Sequence, residues 1–224
     1  MMLPALAHVD TWIFDLDNTL YPASSDLFAL IDERMGAYIQ RLRGCDPVEA
    51  RLVQKSYFRQ HGTTLSGLMA NDGIDPHEFL DFVHDIALDR IEHDATLGVA
   101  IAALPGRKLV FTNGDVDYAQ RVLDRLGLGD SFEGVHDIHA MAYVPKPAAA
   151  SYAGLCTRYD ITPTTALFAE DMVRNLAPAK AIGMTTLWVE NGSEQADGAA
   201  CATFVDHRTS DLRQWLNEIL ETAT

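Results

Sequence analysis

The feature that most constrains the fold is a short apolar run at residues 9–14, which ends in two carboxylates, Asp15 and Asp17. Its aromatic and β-branched residues predict a buried strand. Residues two apart in an extended chain point the same way, so both carboxylates should face one small volume. Two buried acids are costly unless a cation lies between them or one stays protonated. The stretch therefore predicts a chemical site, although a chain turn at Asp17 and Asn18 also explains it.

A long helical segment follows this strand. Apolar residues recur every three or four positions after Leu27, and the Asp-Pro pairs that begin at Asp46 and Asp75 are typical of helix starts. Three or four helices are expected here, whereas a crossover between parallel strands needs only one. The alternative is that these helices simply cover the sheet. The predicted domains are a helical cap, residues 23–95, inserted into a core, residues 1–22 and 96–224.

From Asp94 onward, strand and helix patterns alternate. Such alternation predicts an α/β fold, a Rossmann-like open parallel sheet with helices on both faces. Ligands of these sheets bind beyond the carboxyl ends of the strands, where the polar clusters of this sequence fall. The later strands are predicted at residues 108–111, 132–135, 166–169, 185–189 and 203–205, with a loop at 191–200 and a C-terminal amphipathic helix.

Polar residues follow several of the later predicted strands. Thr112 and Asn113 could offer a hydroxyl and turning amides to an oxyanion, although these residues on their own slightly favour an Asn-Gly turn that closes the strand. Lys146 lies between two prolines, which fix the backbone on both sides and so aim one cation. Glu170 and Asp171 end an almost wholly apolar strand, and Asp171 could instead cap the next helix. Each signal is modest alone, but all fall at strand ends.

Composition narrows the classes of partner. The chain has 224 residues and a formal charge of −15, from 17 basic and 32 acidic residues. Such a surface repels nucleic-acid polymers and anionic membranes, so neither is an expected partner. Residues 1–10 lack the basic residues of a secretory signal, and no stretch approaches the ~18 apolar residues of a membrane span. We therefore expect a soluble, cytoplasmic protein with reduced thiols at Cys45, Cys156 and Cys201; its oligomeric state is not predicted.

The polar clusters resemble a known set of motifs when they are taken in order. Asp15-x-Asp17-x-Thr19 resembles the first motif of the haloacid-dehalogenase-like hydrolase superfamily. Thr112, Lys146 and Asp171 then match the second, third and fourth motifs, and the helical insert matches a cap placed after the first strand. The extension through Leu20, Tyr21 and Pro22 resembles the pyrimidine 5′-nucleotidase branch of that superfamily. The resemblance covers residues from about 9 to 189.

This resemblance implies a phosphate monoester hydrolase that uses Mg²⁺ and an aspartyl-phosphate. Asp15 would be the nucleophile, and Asp17 the general acid and then base. Mg²⁺ would bind Asp15, Asp171 and the backbone carbonyl of Asp17. Lys146 would be catalytic and would hold the phosphate together with Thr112 and Asn113.

One position departs from the superfamily pattern. The fourth motif often has a second acid four residues after its principal Asp, and here that residue is Asn175. Glu170 could supply the missing charge, so either Glu170 or Asn175 is a possible support for the metal.

The substrate is the least determined part of the prediction. The nucleotidase-like extension implies a nucleoside monophosphate, with a sugar phosphate or phosphoglycolate as the alternative. Four aromatic residues of the cap could stack on a base, namely Phe28, Tyr38, Tyr57 and Phe58. Most of them are expected to form the cap's own core instead. A hypothesis of another class is a domain that binds phosphorylated ligands or proteins without turnover. An intact nucleophile and acid argue against it, because a binder needs neither.

Overall fold

A computed structural model of the chain describes residues 4–192 and 203–221, so most of the predicted loop at 191–200, together with Cys201, lies outside the described residues. No helix in those two ranges is both long and apolar enough to cross a membrane. The helices are α1 (Leu27–Arg43), α2 (Pro47–His61), α3 (Thr64–Asp72), α4 (Pro76–His84), α5 (Ala95–Ala103), α6 (Val116–Leu126), α7 (Ala149–Tyr159), α8 (Val173–Ala181) and α9 (Leu212–Glu221). The strands are β1 (Thr11–Phe14), β2 (Arg107–Phe111), β3 (Gly134–His136), β4 (Ala166–Glu170), β5 (Thr185–Val189) and β6 (His207–Thr209).

The strands form one parallel sheet of six, in the order β3-β2-β1-β4-β5-β6. The chain therefore builds outward from β1 to one side and then to the other. The strand order reverses at β1, and in open α/β sheets such a reversal opens a crevice at the carboxyl ends of the strands. This architecture confirms the predicted α/β fold.

The central strands owe their position to their apolar composition. Every residue of β1 and of β4 is buried, so helices cover both faces of the sheet at its centre. Trp12, Ile13 and Phe14 are fully buried. Burial of each such large side chain contributes about 1.5–3 kcal/mol. The same burial makes β1 the rigid support of whatever follows Phe14.

The segment between β1 and α5 is wholly helical in its regular structure. Helix α1 packs against α2 and α4, and α2 packs against α3. Asp46 and Asp75 cap α2 and α4 as predicted, because their side chains accept backbone N–H groups of the first turn. The rings of Tyr38 and Phe79 meet edge to face at 5.1 Å inside this helical segment. Its description as a separate cap domain stays a prediction.

Several predicted boundaries were wrong by a few residues. The edge strand is His207–Thr209 rather than 203–205. The Asp206 carboxylate accepts from the Thr186 amide at 3.0 Å, and the Thr186 hydroxyl donates to the Phe204 carbonyl at 2.6 Å, so Phe204 belongs to a turn before the strand. Since this edge strand is polar and only partly buried, it carries no apolar signal in the sequence.

The remaining differences concern element starts. Strand β3 is Gly134–His136 rather than 132–135, because its pairing with β2 sets its limits. Helix α5 begins at Ala95, so the predicted core boundary at residue 96 falls inside that helix. The N-cap of α8 is Met172, and Asp171 is therefore not a helix cap.

We predict that Gly106→Ala strongly destabilises the sheet. Gly106 has a φ of +77°, and an added Cβ would lie 2.0 Å from the backbone oxygen of Asp10. The strained backbone and the overlap together are expected to lower the free energy of unfolding by about 3 kcal/mol or more. Urea denaturation measures the loss.

Gly73→Ala is the matched control. Gly73 has a φ of +64°, but an added Cβ there meets nothing within 4 Å. We expect only the conformational cost of about 1 kcal/mol. Equal losses for the two variants would contradict the argument from close approach.

Candidate active site

Sheet register brings the predicted site residues to one edge. Phe14 pairs with Val110 of β2 on one side and with Ala169 of β4 on the other. Asp15, which follows Phe14, therefore lies level with Phe111 and with Glu170. The Asp15 amide still donates to the Ala169 carbonyl at 2.9 Å, so the backbone of Asp15 is fixed by the sheet.

Lys146 joins the ends of these three strands. Its ammonium lies 2.7 Å from Oδ1 of Asp15, 2.7 Å from Oε2 of Glu170 and 2.8 Å from the carbonyl oxygen of Phe111. The lysine side chain is only 1% exposed. All three donor positions of the ammonium are thus used, which fixes the cation beside the two carboxylates.

Burial and charge set the protonation of this cluster. Burial alone would lower the pKa of Lys146, but Asp15 and Glu170 raise it to about 12, so the lysine stays charged. Burial and the charge of Glu170 raise the pKa of Asp15 to about 8, against a smaller lowering by Lys146. The charge of one lysine therefore does not offset the effect of burial and of Glu170 on Asp15.

The chemistry of the donor set fits a second, divalent cation. Asp15, Glu170 and Asp171 are buried and can each offer a ligand atom, and these atoms lie within 4.8 Å of one another. Carboxylate oxygens are the ligands that Mg²⁺ prefers in proteins. A bound cation would also bring the pKa of Asp15 back toward its ordinary range. The side chain of Asp17 is outside this cluster, which is compatible with the predicted contact through its backbone carbonyl.

Glu170 and Asn175, the two possible metal supports, are in contact with each other. The Asn175 amide nitrogen donates to Oε2 of Glu170 at 3.1 Å, and the Met172 backbone N–H donates to Oε1 at 3.1 Å. Asn175 is itself held, because the Tyr152 hydroxyl donates to its carbonyl at 2.5 Å. Glu170 therefore brings the charge to the carboxylate cluster, and Asn175 orients Glu170.

Thr112 and Asn113 lie at the end of β2, as predicted. The Thr112 hydroxyl accepts from the Gly114 amide at 3.0 Å, and its own proton stays available for a donor bond. The Asn113 side chain holds the lysine loop: Oδ1 accepts from the Lys146 amide at 2.9 Å, and Nδ2 donates to the Lys146 carbonyl at 3.4 Å. The sequence predicted a role only for the Asn113 backbone amide, and the bonds of its side chain to the lysine loop were not predicted.

Asp17 has partners that the sequence did not reveal. Its Oδ1 accepts from the Tyr21 hydroxyl at 2.5 Å and from the Tyr118 hydroxyl at 2.7 Å. Burial raises the pKa of Asp17, and the two phenols and the nearby His84 and Lys146 only partly oppose that rise. Tyr118 lies on the buried face of α6 and has no signal that separates it from a core residue.

A cavity of about 520 Å³ opens over these groups between the sheet edge and the helical segment. Phe28 and Phe58 line it, whereas Tyr38 and Tyr57 are not among its lining residues. Tyr57 instead donates to Asp72 at 2.9 Å within the helical segment. The four aromatic candidates thus divide evenly between the cavity and the packing of the helices.

Comparisons with known proteins show the family of this chain. A family model described as haloacid dehalogenase-like hydrolase matches residues 9–183, which is most of the chain. Phosphate metabolism protein 8 of Saccharomyces cerevisiae is 25% identical, and the match covers 94% of this chain and 70% of that protein. Enolase-phosphatase E1 of Shewanella frigidimarina is 29% identical over 55% of this chain and 51% of its own length.

Among solved structures, a HAD phosphatase from Thermococcus onnurineus matches with a TM-score of 0.63 at 19% identity, covering 95% of this chain and 98% of that one. A structural match at 19% identity shows that the two proteins share a fold. The prediction that the chain is an enzyme is confirmed, because the matching family is one of hydrolases and phosphatases are among the relatives. The family model matches more than half of the chain, and the parallel sheet has the fold expected from that match. The chain therefore belongs to the haloacid dehalogenase-like hydrolase family.

Proposed function

We propose that this protein is a Mg²⁺-dependent phosphate monoester hydrolase that forms an aspartyl-phosphate on Asp15. The observation that carries the proposal is the buried lysine fixed between Asp15 and Glu170 beside a further acid, Asp171. Such a cluster is unfavourable as a mere packing feature, because it buries three carboxylates close to one another. It suits a site that receives a second cation and an anionic phosphate.

Each residue then has a defined role. Asp15 attacks phosphorus, and Thr112 and the Asn113 amide hold the phosphate oxygens. Lys146 joins them by turning the donor that it gives to Asp15 toward a phosphate oxygen as Asp15 bonds to phosphorus. Asp15, Asp171 and the Asp17 carbonyl, with Glu170 nearby, would hold the divalent ion, and the chemistry that it would supply is neutralisation of phosphate charge.

Asp17 decides between two reaction types of the family. A halide leaves as an anion and needs no proton, whereas an alkoxide leaving group must be protonated as it departs. Asp17 lines the cavity at the end of β1, two residues beyond the nucleophile. A positioned acid at this point favours an ester over a halide as the substrate bond.

A nucleoside monophosphate is the proposed substrate. The cavity is of a size that encloses small organic ligands, and the aromatic rings of Phe28 and Phe58 line it. The sequence from Thr19 to Pro22, with its resemblance to pyrimidine 5′-nucleotidases, supports the same choice. The cytoplasmic location stays a prediction from the sequence.

One observation favours the alternative, a small phosphorylated acid such as phosphoglycolate. Arg174 lines the cavity, its guanidinium lies 4.5 Å from the centre of the Phe58 ring, and it donates to the Gly62 carbonyl at 3.1 Å. Within the two described ranges it forms no ion pair with an acid, and its buried Nε has no hydrogen-bond partner. A half-buried arginine of this kind suits a second anionic group on the leaving part of the substrate.

Asp15→Asn is expected to abolish turnover. An amide cannot form the phosphorylated intermediate, so kcat should fall by about a thousandfold or more while the protein still folds. Phosphate release measures the first effect, and circular dichroism the second. The control is Asp130→Asn, which neutralises an exposed acid that does not line the cavity and should leave kcat unchanged. Turnover retained by Asp15→Asn would show that the nucleophile is misassigned.

Activity is expected to require Mg²⁺ and to vanish with a chelator. The assay measures phosphate release from UMP, CMP, AMP, ribose 5-phosphate and 2-phosphoglycolate. Calorimetric titration of Mg²⁺ into the wild type and into Asp171→Asn should show at least tenfold weaker binding in the variant. A folded protein that releases no phosphate from any ester would instead support the hypothesis of binding without turnover.

Arg174→Gln separates the two substrate classes. If the leaving group carries a second anion, kcat/KM for 2-phosphoglycolate should fall by about tenfold to a hundredfold, because a charge-assisted bond is lost. The value for UMP should change much less. An equal fall for both substrates would mean that Arg174 supports the cavity rather than reads the substrate.

A further inference from the structure

Asp17 is held by one oxygen only. Both hydrogen bonds to its side chain reach Oδ1, from Tyr21 and from Tyr118, and the two phenol oxygens lie 3.4 Å apart. Nothing in the described part of the chain donates to Oδ2. Since Asp17 lines the cavity, the carboxyl group has one oxygen committed to the protein and one left for chemistry.

The two phenols are donors in this arrangement. Each phenol hydroxyl carries one proton and lies within hydrogen-bond distance of Oδ1 of Asp17, so each hydroxyl donates to that oxygen. Because Oδ1 accepts a hydrogen bond from each hydroxyl, the proton of the Asp17 carboxyl group belongs on Oδ2 rather than on Oδ1. The geometry of the bonds, at 2.5 and 2.7 Å, is that of strong O–H···O contacts to a carboxylate.

Tyr118 is positioned in turn by the helical insert. Its ring stacks on that of His84, the last residue of α4, with centroids 4.3 Å apart and planes 10° apart. Nδ1 of His84 is hydrogen-bonded to Asp115, the N-cap residue of α6. Arg121 of α6 donates to the His84 carbonyl at 2.9 Å. The end of α4 is therefore fastened to the helix that carries Tyr118.

We propose that Tyr21 and Tyr118 are positioning residues that fix Asp17 through Oδ1, so that Oδ2 exchanges the proton with the leaving group, and that His84 ties this arrangement to the helical insert. The inference rests on the proposed function, in which Asp17 is the general acid. It adds which oxygen of Asp17 transfers the proton and which side chains orient that carboxyl group. It also adds how α4 contacts Asp17 indirectly, through His84 and Tyr118.

The proton balance is simple. As the Asp15 oxygen bonds to phosphorus, the bond from phosphorus to the ester oxygen breaks, and that oxygen takes the proton from Oδ2 of Asp17. Asp17 is then a carboxylate that still accepts from both phenols. When water attacks the aspartyl-phosphate, its proton goes to Oδ2, and the bond from phosphorus to Asp15 breaks to release phosphate.

The test is a comparison of leaving groups. Nitrophenolate leaves without a proton, whereas an alkoxide does not. In Tyr118→Phe, a misaimed acid should lower kcat for an alkyl phosphate by about thirtyfold to a hundredfold and for p-nitrophenyl phosphate by less than about threefold. The alkyl substrate is whichever of UMP, ribose 5-phosphate and 2-phosphoglycolate the wild type hydrolyses fastest. Tyr21→Phe should show the same selectivity and serves as the second variant if Tyr118→Phe does not fold.

Matched controls separate positioning from general damage. Tyr159→Phe removes a hydroxyl that donates to the Val135 carbonyl, at 3.1 Å, and should change neither rate. Asp17→Asn sets the full size of the leaving-group effect. Equal loss on both substrates in the tyrosine variants, with selective loss in Asp17→Asn, would overturn the inference alone. No selectivity in Asp17→Asn would overturn the proposed role of Asp17.

His84 gives the test of the connection to α4. His84→Phe keeps a flat ring to stack on Tyr118, whereas His84→Ala removes it. Selective loss on the alkyl substrate should be at least about fivefold greater in His84→Ala than in His84→Phe, because the ring holds the tyrosine. A ratio of alkyl to aryl rates in His84→Ala that equals the wild-type ratio would overturn the role of His84.

Discussion

A buried ammonium between two buried carboxylates organises this molecule. Lys146 replaces the water that Asp15 and Glu170 lose on folding, and its third bond reaches the end of β2. Loss of one partner from such a buried set leaves an uncompensated charge, at a cost of about 3–5 kcal/mol. Three strand ends and the loop after β3 are therefore tied together by one side chain, and the loop is held again by Asn113.

The same cluster concentrates acids. Asp15, Glu170 and Asp171 lie close together at the sheet edge, and burial and the charge of Glu170 raise the pKa of Asp15. A hard cation and a phosphate, which bring opposite charges, fit the proposed function because each makes binding of the other more favourable. The strongly acidic chain, with a formal charge of −15, gives the substrate no general attraction. Recognition of an anion must therefore come from the site itself.

Much of the fold could be predicted from local patterns. The buried strand before Asp15, the helical insert and the later alternation follow from residue periodicity, which neighbouring residues in the chain determine. The boundaries near β3 and β6 were missed because pairing with β2 and β5, rather than composition, sets those strands. Thr112 and Asp171 lie directly after β2 and β4, as predicted, and ligands collect where parallel strands end. Lys146 instead reaches the same edge from the loop after β3.

The sequence by itself determined the type of fold, and it predicted which residues carry the chemistry and their order along the chain. Only the tertiary structure decided that Lys146 contacts Asp15 and that Asn175 donates to Glu170. It also decided that Tyr118, whose ring stacks on His84 of α4, donates to Asp17. These contacts join residues far apart in the chain, and they depend on strand order and helix packing. No local pattern encodes either one, so a tyrosine that aims an acid looks the same in sequence as a tyrosine that fills a core.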